Sequence, residues 1–266
     1  MYMVLVFIFV LGLFIGSFLN VLADRLPREE SVIKGRSHCE ECKKKLAWFD
    51  LIPLLSFVYL KGRCRYCRAR LSLYYPIVEL TTGAMFVLVL LFLPHESIKH
   101  QALSIKYIWE LIYYLFIVSS LVVVFFADLK YEIIPDKIVF PTAIVSVIYL
   151  IFNTQYLILP HLLSALGACL FFLALYFGTR GRGMGLGDVK FAFLMGLILG
   201  FPNIVVSLYI AFLTGAIIGI ILILWRRKKI RGATIPFGPF LVLGTLSTLF
   251  WGEIIIQKIM SVLALH

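Results

Sequence analysis

The chain has 266 residues, 62% of them hydrophobic, with a mean hydropathy of +1.00. Its apolar runs approach the ~20 residues that cross a bilayer and are continuous rather than alternating, which excludes both a soluble domain with one large core and a β-barrel. The net charge of +11 would suggest nucleic acid in a soluble protein, but here it is expected to be the excess of Lys and Arg in cytoplasmic loops, so no nucleic-acid partner is expected.

In chain order, apolar spans are predicted at Tyr2–Leu22, Leu73–Leu93, Ile105–Ala127, Ile138–Phe152, Leu157–Phe177, Val189–Gly200, Ile204–Trp225 and Phe237–Ile256. The expected fold is therefore an all-α polytopic membrane protein of about eight transmembrane helices. The fourth and sixth spans are short and are expected to borrow flanking residues or to lie where the protein is thin. Phe201-Pro202-Asn203 divides the sixth from the seventh, because the Pro-Asn pair is a turn signal. No basic residue precedes the first span, and Arg25 and Arg28 follow it. A retained helix with its N-terminus outside fits this better than a signal peptide.

Alternating from there puts four connections in the cytoplasm. Residues 25–72 hold 12 Lys and Arg, 129–137 hold 2, 179–190 hold 3 and 226–236 hold 5. Only Lys99, Lys106 and Lys258 fall outside, a segregation that a miscount of one helix would scramble. No internal repeat is evident. The predicted organisation is a part over 1–95 that carries the polar loop 25–72, then a membrane-embedded core over 105–256.

Within that loop, Cys39-Glu40-Glu41-Cys42 and Cys64-Arg65-Tyr66-Cys67 are separated by 21 residues. Paired Cys-x-x-Cys motifs at such a distance are a signature of tetrahedral four-thiolate zinc, and a cytoplasmic loop is reducing, so disulfides are disfavoured. The predicted metal is a structural Zn2+ on Cys39, Cys42, Cys64 and Cys67. It would fold a loop with little apolar surface of its own. Cys169 is expected to be a small buried hydrophobe.

Two carboxylates then stand out. Asp128 closes the third span and Asp188 opens the sixth. Both fall at the cytoplasmic boundary, where an ionisable group is costly and is functional by default. Two acids at one depth can meet by helix packing and form the machinery of an aspartyl protease. The bland alternatives are that Asp128 caps its helix or pairs with Lys130, and that Asp188 N-caps its own. In Gly185-Leu186-Gly187-Asp188 the glycines are expected to let the backbone approach closely and adopt conformations barred to other residues. Asp136 reads as the N-cap of the fourth span, with Gly185, Gly187 and Asp136 together expected to position backbone or substrate. Glu79, near the cytoplasmic end of the second span, is a further site candidate, with Tyr74, Tyr75 or Arg70 as possible partners.

The chain resembles the bacterial prepilin peptidase family, bifunctional GxGD-type membrane aspartyl enzymes. The likeness is carried by Gly16-Ser17-Phe18-Leu19-Asn20-Val21 with Arg25-Leu26-Pro27, both cysteine pairs, and Asp50-Leu51-Ile52-Pro53-Leu54-Leu55-Ser56. It continues through Tyr75-Pro76-Ile77-Val78-Glu79-Leu80, Asp128 with Ile134-Pro135-Asp136, Gly183–Lys190 and Ile235-Pro236-Phe237-Gly238-Pro239. Where the family commonly has Cys-Pro-x-Cys, this chain has Cys39-Glu40-Glu41-Cys42, so the shape of that knuckle is expected to differ. The resemblance implies removal of a basic leader from type IV pilin-like precursors at the cytoplasmic face, with Asp128 and Asp188 catalytic. It also implies N-methylation of the new N-terminus with S-adenosylmethionine, for which the loop 25–72 and Glu79 are the expected location. It further implies a bacterial inner-membrane location and service to a type IV pilus or type II secretion system. The basic loops are expected to contact anionic membrane lipids. The leader itself would meet local acids, namely Glu29, Glu30, Asp50 and Glu79. Competing readings are an ion-coupled transporter using Asp128 and Asp188, and a GxGD protease with another client.

Overall fold

The computed structural model describes residues 2–32, 35–92, 105–153, 158–181, 183–225 and 236–263. Lys99, the basic run 226–231 and Ile235 lie outside the described residues. Nine helices occur among the described residues: α1 (Tyr2–Arg25), α2 (Leu55–Tyr59), α3 (Tyr74–Phe92), α4 (Ile105–Tyr131), α5 (Asp136–Asn153), α6 (Ile158–Gly178), α7 (Leu186–Leu199), α8 (Asn203–Trp225) and α9 (Gly238–Leu263). Seven of them are long and apolar enough to cross a membrane. The sixth predicted span is α7, whose 14 residues reach only about 21 Å at 1.5 Å per residue. The fourth span does borrow its flanks, becoming the 18-residue α5. As the Pro-Asn signal implied, α7 stops at Leu199 and α8 begins at Asn203. The chain divides into two compact units, residues 1–123 and 124–266.

In the first unit, α1 and α3 pack through small residues. A Cβ on Gly12 would stand 2.7 Å from the Gly83 Cα, and one on Gly16 would stand 2.8 Å from the Glu79 Cα. Small residues bring backbones together in this way where lipid offers no hydrophobic gain for association. The crossing carries polar groups at its loop end, where the Asn20 Nδ2 donates to the Tyr75 carbonyl at 3.1 Å.

The loop between these helices holds a repeat that the sequence reading missed. Cys39 N–H donates to Lys44 O (3.0 Å) and Cys64 N–H to Ala69 O (2.8 Å). Lys43 N–H returns to Cys39 O (2.9 Å) and Arg68 N–H to Cys64 O (3.0 Å). Leu46 and Leu71 close the two turns on Ser37 and Gly62, and Lys43 and Arg68 both take positive φ, 57° and 61°. Every partner recurs at an offset of 25, so 37–46 and 62–71 are two copies of one knuckle. The knuckle with Glu40-Glu41 thus keeps the same hydrogen bonds as the one with Arg65-Tyr66. Between the copies, α2 follows a tight turn in which Leu54 takes φ 58°, ψ −49° and Leu55 N–H reaches Pro53 O at 2.6 Å. This is the rare positive-φ γ-turn, a strained geometry for a branched side chain.

In the second unit α7 is the innermost helix, with nine of its 14 residues buried. It packs along α6 and also against α5, α8 and α9. From Phe191 to Leu199 its residues are all apolar, as a helix segment packed on several sides requires. Gly196 sets the closest approach: a Cβ there would overlap the Ala165 backbone on α6. Gly196→Val should therefore lower the thermal midpoint and the amount of folded protein, by about 1–3 kcal/mol or more for overpacking. Fluorescence-detected thermal unfolding of the purified protein checks this.

Candidate active site and metal centre

Asp128 lies in the last turn of α4, which runs three residues beyond it to Tyr131. The helix thus continues past the apolar span that Asp128 closes, so Asp128 does not cap it. Its side chain is buried, and Oδ2 accepts the Gly238 N–H at 2.9 Å. Gly238 is the first residue of α9, where the first four backbone N–H groups have no partner within the helix. The carboxylate thus meets the positive end of α9, a favourable place for negative charge, and not Lys130.

Asp188 is the third residue of α7 and is also buried. Its Oδ2 accepts the Gly185 N–H at 3.1 Å, so the residue reaches back to the start of its own helix, as the N-capping alternative foresaw in part. Gly185 has φ −84° and Gly187 is not in the positive-φ region. Conformational freedom is therefore not why Gly187 is there. Space is: a Cβ on Gly187 would press the Ile134 side chain at 3.2 Å, and Ile134, just after α4, is itself buried. The first turn of α7 comes up against the segment following Asp128, and the two carboxylates lie within electrostatic range of each other.

Asp136 differs from its reading as an N-cap. It is the first residue of α5, and the Pro135 carbonyl accepts from Ile138 and Val139. Its carboxylate takes the Lys190 ammonium at 2.7 and 2.9 Å, tying α5 to α7 two residues past Asp188. Both side chains are substantially exposed, so this tie contributes little energy and serves mainly to orient.

Glu79 is buried and does not pair with Tyr74, Tyr75 or Arg70 as expected. Its Oε2 accepts the Leu54 N–H at 2.9 Å and it also receives the Ser17 hydroxyl. The strained turn before α2 is thereby held on the α1–α3 pair. Asn20 Oδ1, in the same crossing, is buried with no hydrogen-bond partner among the described residues. Asp50 accepts Arg65 at 2.8 Å and so is committed within the loop. Of the acids suggested for a basic leader, Glu29 and Glu30 are the exposed ones.

All four loop thiols converge, with their Sγ atoms within 4.8 Å of one another. Cys39 and Cys67 are 3.8 Å apart at sulfur, and a tetrahedron with ~2.3 Å zinc–sulfur bonds has an edge of about 3.8 Å. The donor set fits zinc in number, chemistry and size. Hydrogen bonding from the Cys67 backbone lowers the Cys64 thiol to about 7, while burial and the neighbouring thiols raise Cys67 to about 11, so within the cluster the Cys64 sulfur is the readier thiolate. His38 turns to the Arg36 carbonyl at 3.4 Å, and Cys169 on α6 is half-buried.

Comparison with known proteins gives a consistent likeness. The pattern described as the Bacterial Peptidase A24 N-terminal domain matches residues 10–93, and that described as the Type IV leader peptidase family matches 115–220. A protein of Aeromonas salmonicida (strain A449) named prepilin leader peptidase/N-methyltransferase is 31% identical over 290 residues, covering 98% of this chain and 94% of that protein. Proteins of the same name from Legionella pneumophila (33% identical; 93% of this chain, 92% of that one) and Bacillus subtilis strain 168 (29%; 94% and 95%) are likewise similar. No solved structure matches the chain.

Proposed function

Because this chain belongs to the type IV leader peptidase family, we propose that it is a membrane aspartyl endopeptidase. It removes the leader from type IV pilin-like precursors and methylates the new N-terminal residue. The observation that carries the peptidase reading is the pair of buried carboxylates, Asp128 and Asp188, in electrostatic range and each held by a backbone N–H at a helix start. An ionised carboxylate takes a proton from water as its oxygen attacks the scissile carbonyl carbon. The protonated partner gives its proton to the carbonyl oxygen. The tetrahedral adduct then collapses, the C–N bond breaks, and the nitrogen leaves with a proton returned by the pair. The transporter alternative is not favoured, since relatives named as leader peptidases span nearly the whole chain.

The same reading gives the two activities to different parts: peptidase to 105–256, with Gly185, Gly187 and Asp136 positioning α7, and methyl transfer to 1–95. S-adenosylmethionine brings an electrophilic methyl group and a cationic sulfonium. Acceptor oxygens suit such a ligand, and the support is the Asn20 Oδ1, buried with no hydrogen-bond partner among the described residues, together with the buried Glu79 carboxylate of the same α1–α3 pair. These residues would hold the donor. Zinc on the four thiols is structural in this reading, because protein fills every position of the tetrahedron. The bias of Lys and Arg supports an N-terminus outside, a cytoplasmic active face and basic loops against anionic lipid of the bacterial inner membrane.

The test is purified protein with a pilin-like precursor, with and without S-adenosylmethionine, read by intact mass. The expected result is loss of the leader in both reactions, with one methyl group added only when the donor is present. An unchanged precursor mass in both would overturn the peptidase reading.

A further inference from the structure

We propose that Gly238 is a positioning residue for Asp128, its backbone N–H fixing the carboxylate in its working orientation. The proposal rests on the reading of Asp128 as one of the catalytic pair. Gly238 lies beyond residue 220, where the match to the leader peptidase family pattern ends. The start of α9 is thus brought into a site otherwise built from α4 and α7.

Three observations converge on it. The contact is buried and spans 110 positions of sequence, with Gly238 N–H to Asp128 Oδ2 at 2.9 Å. The fit allows only hydrogen at this Cα: a Cβ would stand 2.5 Å from Oδ2 and 2.8 Å from Cγ of Asp128. Any other residue must push the carboxylate aside or withdraw the helix end. Finally, the donor is itself anchored. Pro239 follows and has no N–H to offer, and the Phe237 carbonyl accepts from Phe240 and Leu241. The Phe237 ring packs 5.2 Å from Phe212 on α8 and 6.4 Å from Phe172 on α6. Three membrane helices thus fix the direction of one N–H, and that N–H fixes one carboxylate oxygen. Enlarging Gly238 should therefore misplace a reacting group without touching the substrate.

The experiment measures kcat and KM for precursor cleavage by the purified full chain, comparing Gly238→Ala, Phe237→Leu and Asp128→Asn. Methyl transfer to an already leaderless pilin gauges the fold. A misplacement of about 1 Å costs on the order of a hundredfold, so Gly238→Ala should lose about that much in kcat. Its KM should stay within about threefold and its methyl transfer should be retained, a split expected when an interaction acts in the transition state only. Phe237→Leu should lower kcat in the same direction by about threefold to tenfold, through a looser anchor. Gly238→Ala with undiminished kcat beside an inactive Asp128→Asn overturns the positioning proposal alone. Full activity of Asp128→Asn overturns the catalytic reading beneath it. If Gly238→Ala does not accumulate, an unchanged kcat in Phe237→Leu overturns the proposal, and a lowered kcat at constant KM supports it.

Discussion

Asp128→Asn and Asp188→Asn should each reduce precursor cleavage by about a hundredfold to ten-thousandfold, the scale of general acid–base catalysis, while the chain still accumulates in the membrane. Asparagine is the informative substitution because it separates chemistry from packing. An amide oxygen can still accept the Gly238 N–H at position 128, or the Gly185 N–H at position 188, so both helix starts keep their partner. What the amide cannot do is take a proton from water or give one to a carbonyl oxygen. Alanine would mix the two effects, because at position 128 it strands a buried N–H at a cost of about 1–3 kcal/mol. Single-turnover cleavage followed by intact mass, with the membrane fraction quantified alongside, checks the prediction. Near-normal processing by either asparagine variant would remove that residue from the mechanism. Cleavage and methyl transfer should also separate here, because Asn20 and Glu79 lie in the other unit.

Much of this arrangement was legible in the sequence, and what was not has a common physical reason. The spans, the cysteine loop and the two acids near helix ends follow from residue type and spacing, which are local signals. Partners were harder. Asp128 is held by a backbone N–H from a residue 110 positions away, and glycine advertises nothing about what its amide will meet. Glu79 goes to the Leu54 N–H rather than to a tyrosine or arginine, since a backbone donor is available to any residue type. Asp136 reads as a cap because acids favour helix starts, yet Lys190 from another helix takes its carboxylate. Gly187 makes the same point: the sequence suggests freedom of φ, while the fold uses the missing side chain. The doubled knuckle is different. Cys-x-x-Cys followed by a base, a gap, a base and a leucine recurs in 39–46 and 64–71, a signal present but too short to register as a repeat until the hydrogen bonds are compared.

That doubled knuckle makes the second large prediction, about one zinc per chain, lost when Cys39 and Cys42 are both changed to Ser. Among the described residues from 26 to 72, only Cys39, Pro53 and Cys64 are buried. Two thiols and a proline cannot form a hydrophobic core, whereas structural zinc supplies an apparent ~10–16 kcal/mol at neutral pH in small peptides. The metal should therefore decide whether this loop is ordered at all, a larger effect than any single side chain in it. With the knuckles open, the Leu54 turn should lose the frame that holds its strained φ, and the hydrogen bond to Glu79 should go with it. The double-Ser variant, or wild type treated with a strong chelator, should thus become protease-sensitive within 35–72. α1 and α3 should stay in the membrane, because their contacts through Gly12, Gly16 and Gly83 do not involve the loop. Metal analysis of purified protein, paired with limited proteolysis mapped by mass spectrometry, measures both. A chain with four intact thiols and no zinc would defeat the assignment. Full zinc loss with an unchanged proteolytic pattern would show instead that the metal does not hold the loop together.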